Sequence, residues 1–406
     1  MLIVVVVLKG MKNLILRIIF KVYKIGFGIL GYILPKKEKL MIFESFHGKQ
    51  YSDSPRALYE YIREHCPDMI MFWSVDRRHV HRFEKFDVIP VKRFSLKWMF
   101  LMTRAKYWVT NSRLPLWIPK SHKTVYIQTW HGTPLKRLAA DIDEVLMPDT
   151  NTEIYKKNFL NEAKKWDYLI SPNEYSTSIF KRAFGFQGEI IESGYPRNDF
   201  LINNNNEEKI SHIKRKCNLP DNKKVILYAP TWRDNQFYSK GKYKFDIHLD
   251  LSRLYEVLGD EYVIILRLHY LVAENLNLSE FQDFVFDFSQ YEDIRELYII
   301  SDLLITDYSS VFFDYANLKR PMLFFVYDFE EYKDNIRGFY FDFESKAPGP
   351  LVRSTEELIN EIKYLEKEGF KPSENAESFY EKFCYLEDGN ASYRVVKEII
   401  KCKGNK

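Results

Sequence analysis

The residues of this chain best suited to chemistry stand just after short apolar runs. His131 follows the run 124–128 (TVYIQ), inside Thr129-Trp130-His131-Gly132-Thr133-Pro134-Leu135-Lys136, where Gly132 and Pro134 hold a tight loop. A histidine in that position can serve as a general base near neutral pH. Arg197 follows 190–193 within Gly194-Tyr195-Pro196-Arg197-Asn198-Asp199. Its guanidinium fork matches a phosphate; the competing reading is a surface arginine paired with Asp199. Arg267 and His269 stand two apart where the run 262–267 ends, so strand alternation puts both on one face. Pro230 and Thr231 make a proline turn after 224–229.

The strongest physical signal is Leu303-Leu304-Ile305-Thr306-Asp307-Tyr308-Ser309-Ser310-Val311-Phe312-Phe313-Asp314. A buried strand runs into a serine pair that opens a helix. Free N–H groups at a helix start, with two hydroxyls, make an anion site, although Ser309 can also be a plain cap. With no glycine-rich loop and no Walker lysine, it is not a P-loop. Together these residues suit a diphosphate donor and an alcohol acceptor. The pattern admits a nucleotide-sugar transferase or a phosphotransferase.

The elements that must position these residues follow from periodicity. Runs of four to seven apolar residues bounded by turn signals predict strands at 40–44, 69–75, 106–110, 124–128, 167–171 and 190–193. A second series is predicted at 224–229, 262–267, 284–287, 302–306 and 322–326. Such runs suit strands buried on both faces, and their alternation with helical stretches predicts parallel, doubly wound sheets. The polar break Asn203-Asn204-Asn205-Asn206 reads as a linker. The expected fold class is α/β, two doubly wound Rossmann-like domains facing a cleft. The expected division is an N-terminal helix at 1–38, an acceptor domain at 39–202, a donor-binding domain at 203–373, and a helix at 374–406 that packs back on the first domain.

Length and composition agree. The 406 residues suit two domains, and 60 Lys+Arg against 56 Asp+Glu leave a net charge of +4. That excludes a strongly basic nucleic-acid binder. A hydrophobic fraction of 46% excludes general disorder. None of the four cysteines sits at metal-ligand spacing, and a chain this long has no need of disulfides. No metal and no cofactor is expected.

Residues 14–34 are apolar except for Arg17, Lys21 and Lys24, which fall on one helical face. That predicts an amphipathic helix lying in a membrane plane, with its cations toward lipid phosphates, rather than a span. Residues 1–10 read as an appendage, and Met11 is an alternative start.

Several motifs, in order, resemble the teichoic acid glycerophosphotransferases. They are FESFHGKQYSDSPRALYEY (43–61), WVTNSR (108–113), WHGTPLKRL (130–138), GYPRNDF (194–200), APTWRD (229–234), LRLHY (266–270) and ITDYSSVFFDY (305–315). The resemblance covers about residues 40 to 395. It implies a glycosyltransferase-B-like fold, and transfer of glycerol phosphate from CDP-glycerol to a hydroxyl on an undecaprenyl-diphosphate-linked acceptor, with release of CMP. It places the enzyme peripherally on the cytoplasmic side of the cell membrane and leaves self-association open.

By the same resemblance His131 is the base, and Trp130, Gly132, Thr133 and Pro134 line the donor. Arg197 meets donor phosphate, and Pro230 and Thr231 contact the cytidine side. Arg267 and His269 hold the diphosphate and stabilise the leaving CMP, with Leu268 between them in the substrate site. Ser309 and Ser310 bind phosphate, and Asp314 binds a donor hydroxyl. Rival readings are a CDP-ribitol-dependent transferase, a nucleotide-sugar glycosyltransferase and a non-catalytic binding protein.

Overall fold

The structure, a computed structural model, describes residues 2–145, 150–231, 237–239, 242–243, 247–268, 278–332 and 338–400. The first strand series forms β1 (Lys37–Glu44), β2 (Ile70–Val75), β3 (Pro90–Lys92), β4 (Ala105–Thr110), β5 (Val125–Gln128), β6 (Tyr168–Ser171) and β7 (Glu189–Glu192). They pair in parallel in the order β3-β2-β1-β4-β5-β6-β7. The second series gives β8 (Lys224–Tyr228), a hairpin of β9 (Phe237–Ser239) and β10 (Lys242–Tyr243), then β11 (Tyr262–Leu266), β12 (Val285–Asp287), β13 (Leu303–Thr306), β14 (Met322–Phe325) and β15 (Leu351–Val352). Its sheet runs β12-β11-β8-β13-β14-β15, again parallel.

Strand alternation sorts each sheet into two cores. In the second sheet Leu227, Val263, Ile265 and Leu304 pack to one side, while Ile226, Tyr228, Ile264, Leu266 and Ile305 pack to the other. In the first, Leu40, Ile42, Trp108 and Tyr126 oppose Met41, Phe43, Val109 and Ile127. Burial on both faces is why these strands read as continuous apolar runs. Each sheet reverses its order once, between β1 and β4 and between β8 and β13. Open α/β sheets bind ligands at that point, outside the carboxyl ends of the strands.

Some expectations change. The asparagine run, which lies between the last strand of the first sheet and the first of the second, is built into helices: these span Asp199–Asn204 and Glu207–Lys216, and the Asn206 side chain caps the second by accepting from Lys209 N. The C-terminal stretch is two helices rather than one. Asn375–Phe383 puts Phe379 and Phe383 into the second unit's core, and Ala391–Ile399 puts Val395 and Val396 into the first unit's. Cys66 is disulfide-bonded, where length alone gave no need for a bridge, and Cys217 and Cys384 are free and buried.

The N-terminal helix α1 runs Leu2–Ile33. Tyr23, Phe27 and Leu30 dock on the first core, and Trp117 meets the rings of Tyr23 and Phe27 at 5.9 and 6.1 Å. A different face leaves Leu14, Ile18, Val22, Ile25 and Ile29 exposed. Among the described residues no helix is long and apolar enough to cross a membrane.

Candidate active site

The carboxyl ends of both sheets face a cleft of about 1210 Å³. From the first unit come the segments after β1 (Phe46, His47, Lys49, Asp53), after β4 (Ser112, Arg113) and after β5 (Trp130 to Lys136). The second unit contributes those after β8 (Pro230, Thr231), after β11 (Arg267, Leu268) and after β13 (Ser309, Ser310). Two turns of the second wall are tied together, because Thr231 N donates to Asp307 Oδ1 at 2.8 Å.

His131 is held by one ring nitrogen. Its Nδ1 lies 2.7 Å from the Asn111 carbonyl oxygen. A carbonyl can only accept, so the proton sits on Nδ1 and Nε2 keeps its lone pair. The ring is exposed to the cleft, yet protein surrounds the cleft floor. That desolvation lowers the imidazole's pKa; the bond it donates to Asn111 O and the charge of Asp53 oppose the shift, and Arg197 and Arg113 add to it. The ring is therefore neutral at pH 7, the state a base needs.

Trp130 holds His131 in place from below. It adopts a left-handed backbone (φ 53°), is buried, and its ring meets Phe184 at 4.6 Å and His131 at 4.4 Å. Such backbone strain in a bulky residue persists only where the surroundings over-determine it. Pro134 is buried and its carbonyl accepts from Tyr175 Oη at 2.7 Å. Beyond it, Lys136 pairs with Phe339 as an antiparallel bridge, and Tyr340 N donates to Leu135 O. The loop that carries His131 is thus clasped by the second unit.

Gly132 faces the other wall. A Cβ built on it would lie 2.8 Å from Ser310 Oγ and 3.3 Å from Ser310 Cβ. Ser310, not Ser309, occupies the N-cap position of the helix Val311–Tyr315, and it makes no side-chain cap bond.

Three expected ligands are engaged differently. Arg197 is not paired with Asp199, which instead accepts from Ala391 N and Ser392 N. Nor is its fork open to phosphate. Buried, it donates from Nε and Nη2 to both Asp314 oxygens (3.1 and 2.9 Å) and from Nη1 to Asp53 (3.0 Å). Asp314 is thereby committed to Arg197 and Asn198 rather than to a donor hydroxyl. The network continues through Asn111 Nδ2, which donates to Asp53 at 2.7 Å, to the residue that orients His131. Arg267 spends Nη1 on the carbonyls of Phe288, Ser289 and Tyr291, fixing the segment whose Ser289 Oγ accepts from Leu268 N. His269 lies outside the described residues.

Sequence reasoning passed over His47, Asp53, Asn111 and Arg113. His47 (φ 61°) is exposed to the cleft, and burial, with help from Arg93 and Lys49, lowers its pKa to about 4. Gly48 behind it has φ 80°, and a Cβ there would sit 2.7 Å from Asp76 N, so only glycine can make this turn. The usable signal was position, since these residues follow β1 and β4, the strands that flank the order reversal.

Fold and site define a two-unit cleft enzyme, with His131 on one wall and Ser309 and Ser310 on the other. The chain belongs to the CDP-Glycerol:Poly(glycerophosphate) glycerophosphotransferase family, whose profile matches residues 28–401. It is 61% identical over 95% of its length to a teichoic acid poly(glycerol phosphate) polymerase of Bacillus subtilis (strain 168), and spans 52% of that protein. A protein described in the same words from Bacillus spizizenii is 58% identical over 94% of this chain and 97% of its own. A teichoic acid glycerol-phosphate transferase of Staphylococcus aureus is 48% identical over 96% of this chain and 100% of its own. Among solved structures, the wall teichoic acid polymerase TagF soaked with CDPG is 44% identical, with TM-score 0.87 over 97% of this chain and 96% of that one. A UDP-GlcNAc 2-epimerase from Neisseria meningitidis, at 14% identity and TM-score 0.54, shares the fold alone.

Proposed function

We propose that this chain transfers glycerol phosphate from CDP-glycerol to a hydroxyl of a lipid-linked acceptor chain in teichoic acid synthesis. The observation that carries the mechanism is the Nδ1 bond of His131 to Asn111 O, which leaves Nε2 free beside the Gly132–Ser310 contact. The acceptor hydroxyl gives its proton to Nε2 as its oxygen bonds the phosphorus that carries glycerol. The bond from that phosphorus to the bridging oxygen breaks, and CMP leaves with the bridging oxygen and the electron pair. Ser309, Ser310 and the N–H groups opening Val311–Tyr315 meet the charge spread over the transferring phosphoryl group. Pro230, Thr231 and Leu268 line the donor side of the cleft. Arg197, Asp53 and Asp314 tie the two units together at the cleft floor.

The enzyme acts peripherally at the cytoplasmic face of the membrane. Three faces of α1 support this: a docked stripe at Tyr23, Phe27 and Leu30, an exposed apolar stripe at Ile18, Val22, Ile25 and Ile29, and the exposed cations Arg17, Lys21 and Lys24 beside it.

The test is CMP release by the purified chain with a lipid-linked glycerol phosphate primer, comparing CDP-glycerol with CDP-ribitol. Release from CDP-glycerol, with product mass rising in glycerol phosphate steps, is expected. Release from CDP-ribitol alone would retain the mechanism and change the substrate.

A further inference from the structure

Resting on that reading, we infer that Arg113 is the binding point for the terminal phosphodiester of the acceptor chain, and that the segment 111–118 is the track along which the acceptor reaches His131. Arg113 follows β4 and lines the cleft on the first unit's wall. Its guanidinium carbon lies 4.4 Å from the Phe159 ring centre and 5.5 Å from that of Tyr155, both from the helix Thr152–Ala163. Stacking fixes the plane of the group but uses none of its five N–H donors. Among the described residues, no carboxylate or carbonyl receives a bond from it. The other arginines named above differ: Arg197 is held by two carboxylates and Arg267 by three carbonyls. A half-buried, preoriented fork with open donors suits a phosphate oxyanion.

Place in the fold says which phosphate. The donor cradle at Ser309 and Ser310 lies on the opposite wall. Two residues before Arg113 is Asn111, whose carbonyl orients His131. Four residues after it is Trp117, which packs beneath α1 against Phe20 and Tyr23 at 5.2 and 5.9 Å. Leu116, between them, is exposed and also lines the cleft. One short segment thus runs from under the exposed apolar helix to the base. A phosphodiester held by Arg113 brings the next hydroxyl of a glycerol phosphate chain toward Nε2, with no covalent step at Arg113 itself.

The experiment compares Arg113→Met and Arg113→Lys with wild type in two assays. The first is direct titration with glycerophosphoglycerol, a soluble diester, in the absence of donor. The second is CMP release with a lipid-linked primer whose terminal diester is either a phosphate or a neutral methylphosphonate. Arg113→Met is expected to weaken diester binding and raise the acceptor KM on the order of tenfold or more. It should leave the donor KM unchanged, and Arg113→Lys should recover part of the loss. With the neutral primer, wild type and Arg113→Met should converge. Unchanged acceptor KM, an equal loss on both primers, or a raised donor KM would overturn the assignment. Arg113-dependent diester binding with no CMP from CDP-glycerol would leave this site standing and sink the donor reading instead.

Discussion

Gly132 and Ser310 come from different units, and a methyl group on the first would sit 2.8 Å from the hydroxyl oxygen of the second. The loop of His131 and the turn of Ser310 therefore meet so closely that a side chain on Gly132 would push the Ser310 hydroxyl aside. Gly132→Ala is expected to lower kcat on the order of ten- to hundredfold, as a displacement near 1 Å does elsewhere. Ser310→Ala removes a hydroxyl from the donor side and is expected to raise the donor KM on the order of tenfold, with the acceptor KM unchanged. Steady-state CMP release with each substrate varied separates the two effects. An unchanged donor KM for Ser310→Ala would remove Ser310 from the phosphate cradle.

Arg197 joins two buried carboxylates from two units. Removing it leaves Asp53 and Asp314 facing each other without a counter-charge, so Arg197→Ala should cost about 3–5 kcal/mol in denaturant unfolding. Arg197→Lys keeps the charge but loses the two-pronged bond to Asp314, and should fall between. A loss below about 1 kcal/mol for Arg197→Ala would mean that the pair is not the tie between the units.

Glu387 accepts from Tyr195 N and Asn198 Nδ2, and burial pushes its carboxyl up to about 8. The native state keeps a proton that the unfolded chain has lost above the ordinary carboxylate range. Stability therefore falls as pH rises toward 8, and the loss is complete above it. Glu162, raised to about 7 by burial, acts in the same direction. Melting temperatures between pH 6.5 and 8.5 should decline in wild type and decline less in Glu387→Gln. Parallel curves would refute the assignment.

The exposed stripe of α1 predicts lipid binding. Ile18→Asp and Ile25→Asp, both at exposed positions, should release the protein from anionic vesicles in flotation while leaving its melting temperature unchanged. Retention of both variants on vesicles would exclude this stripe as the membrane contact.

The longer strands and the parallel winding were legible because runs such as Tyr262–Leu266 are buried throughout. Pro90–Lys92 and Leu351–Val352 were not, because each has a single buried residue and so no apolar run. That His131, Ser309 and Ser310 would line one cleft was legible from their place after strands. What sequence could not supply was partnership across the chain. Arg197 meets Asp314 at a separation of 117 positions, and nothing local distinguishes a phosphate ligand from a buried tie. Arg113 shows the converse: the sequence does not show that Phe159 holds it, nor that among the described residues no acid does.

His131 bears the central claim. Burial lowers its pKa, so the acid limb of kcat/KM should fall at a pH below the ordinary histidine value of about 6.5. The most direct measurement is single-turnover CMP release by His131→Ala, alongside CDP-glycerol binding by the same protein. The account predicts donor affinity close to wild type and a turnover loss of at least about 10². Near-wild-type turnover in that variant would contradict it.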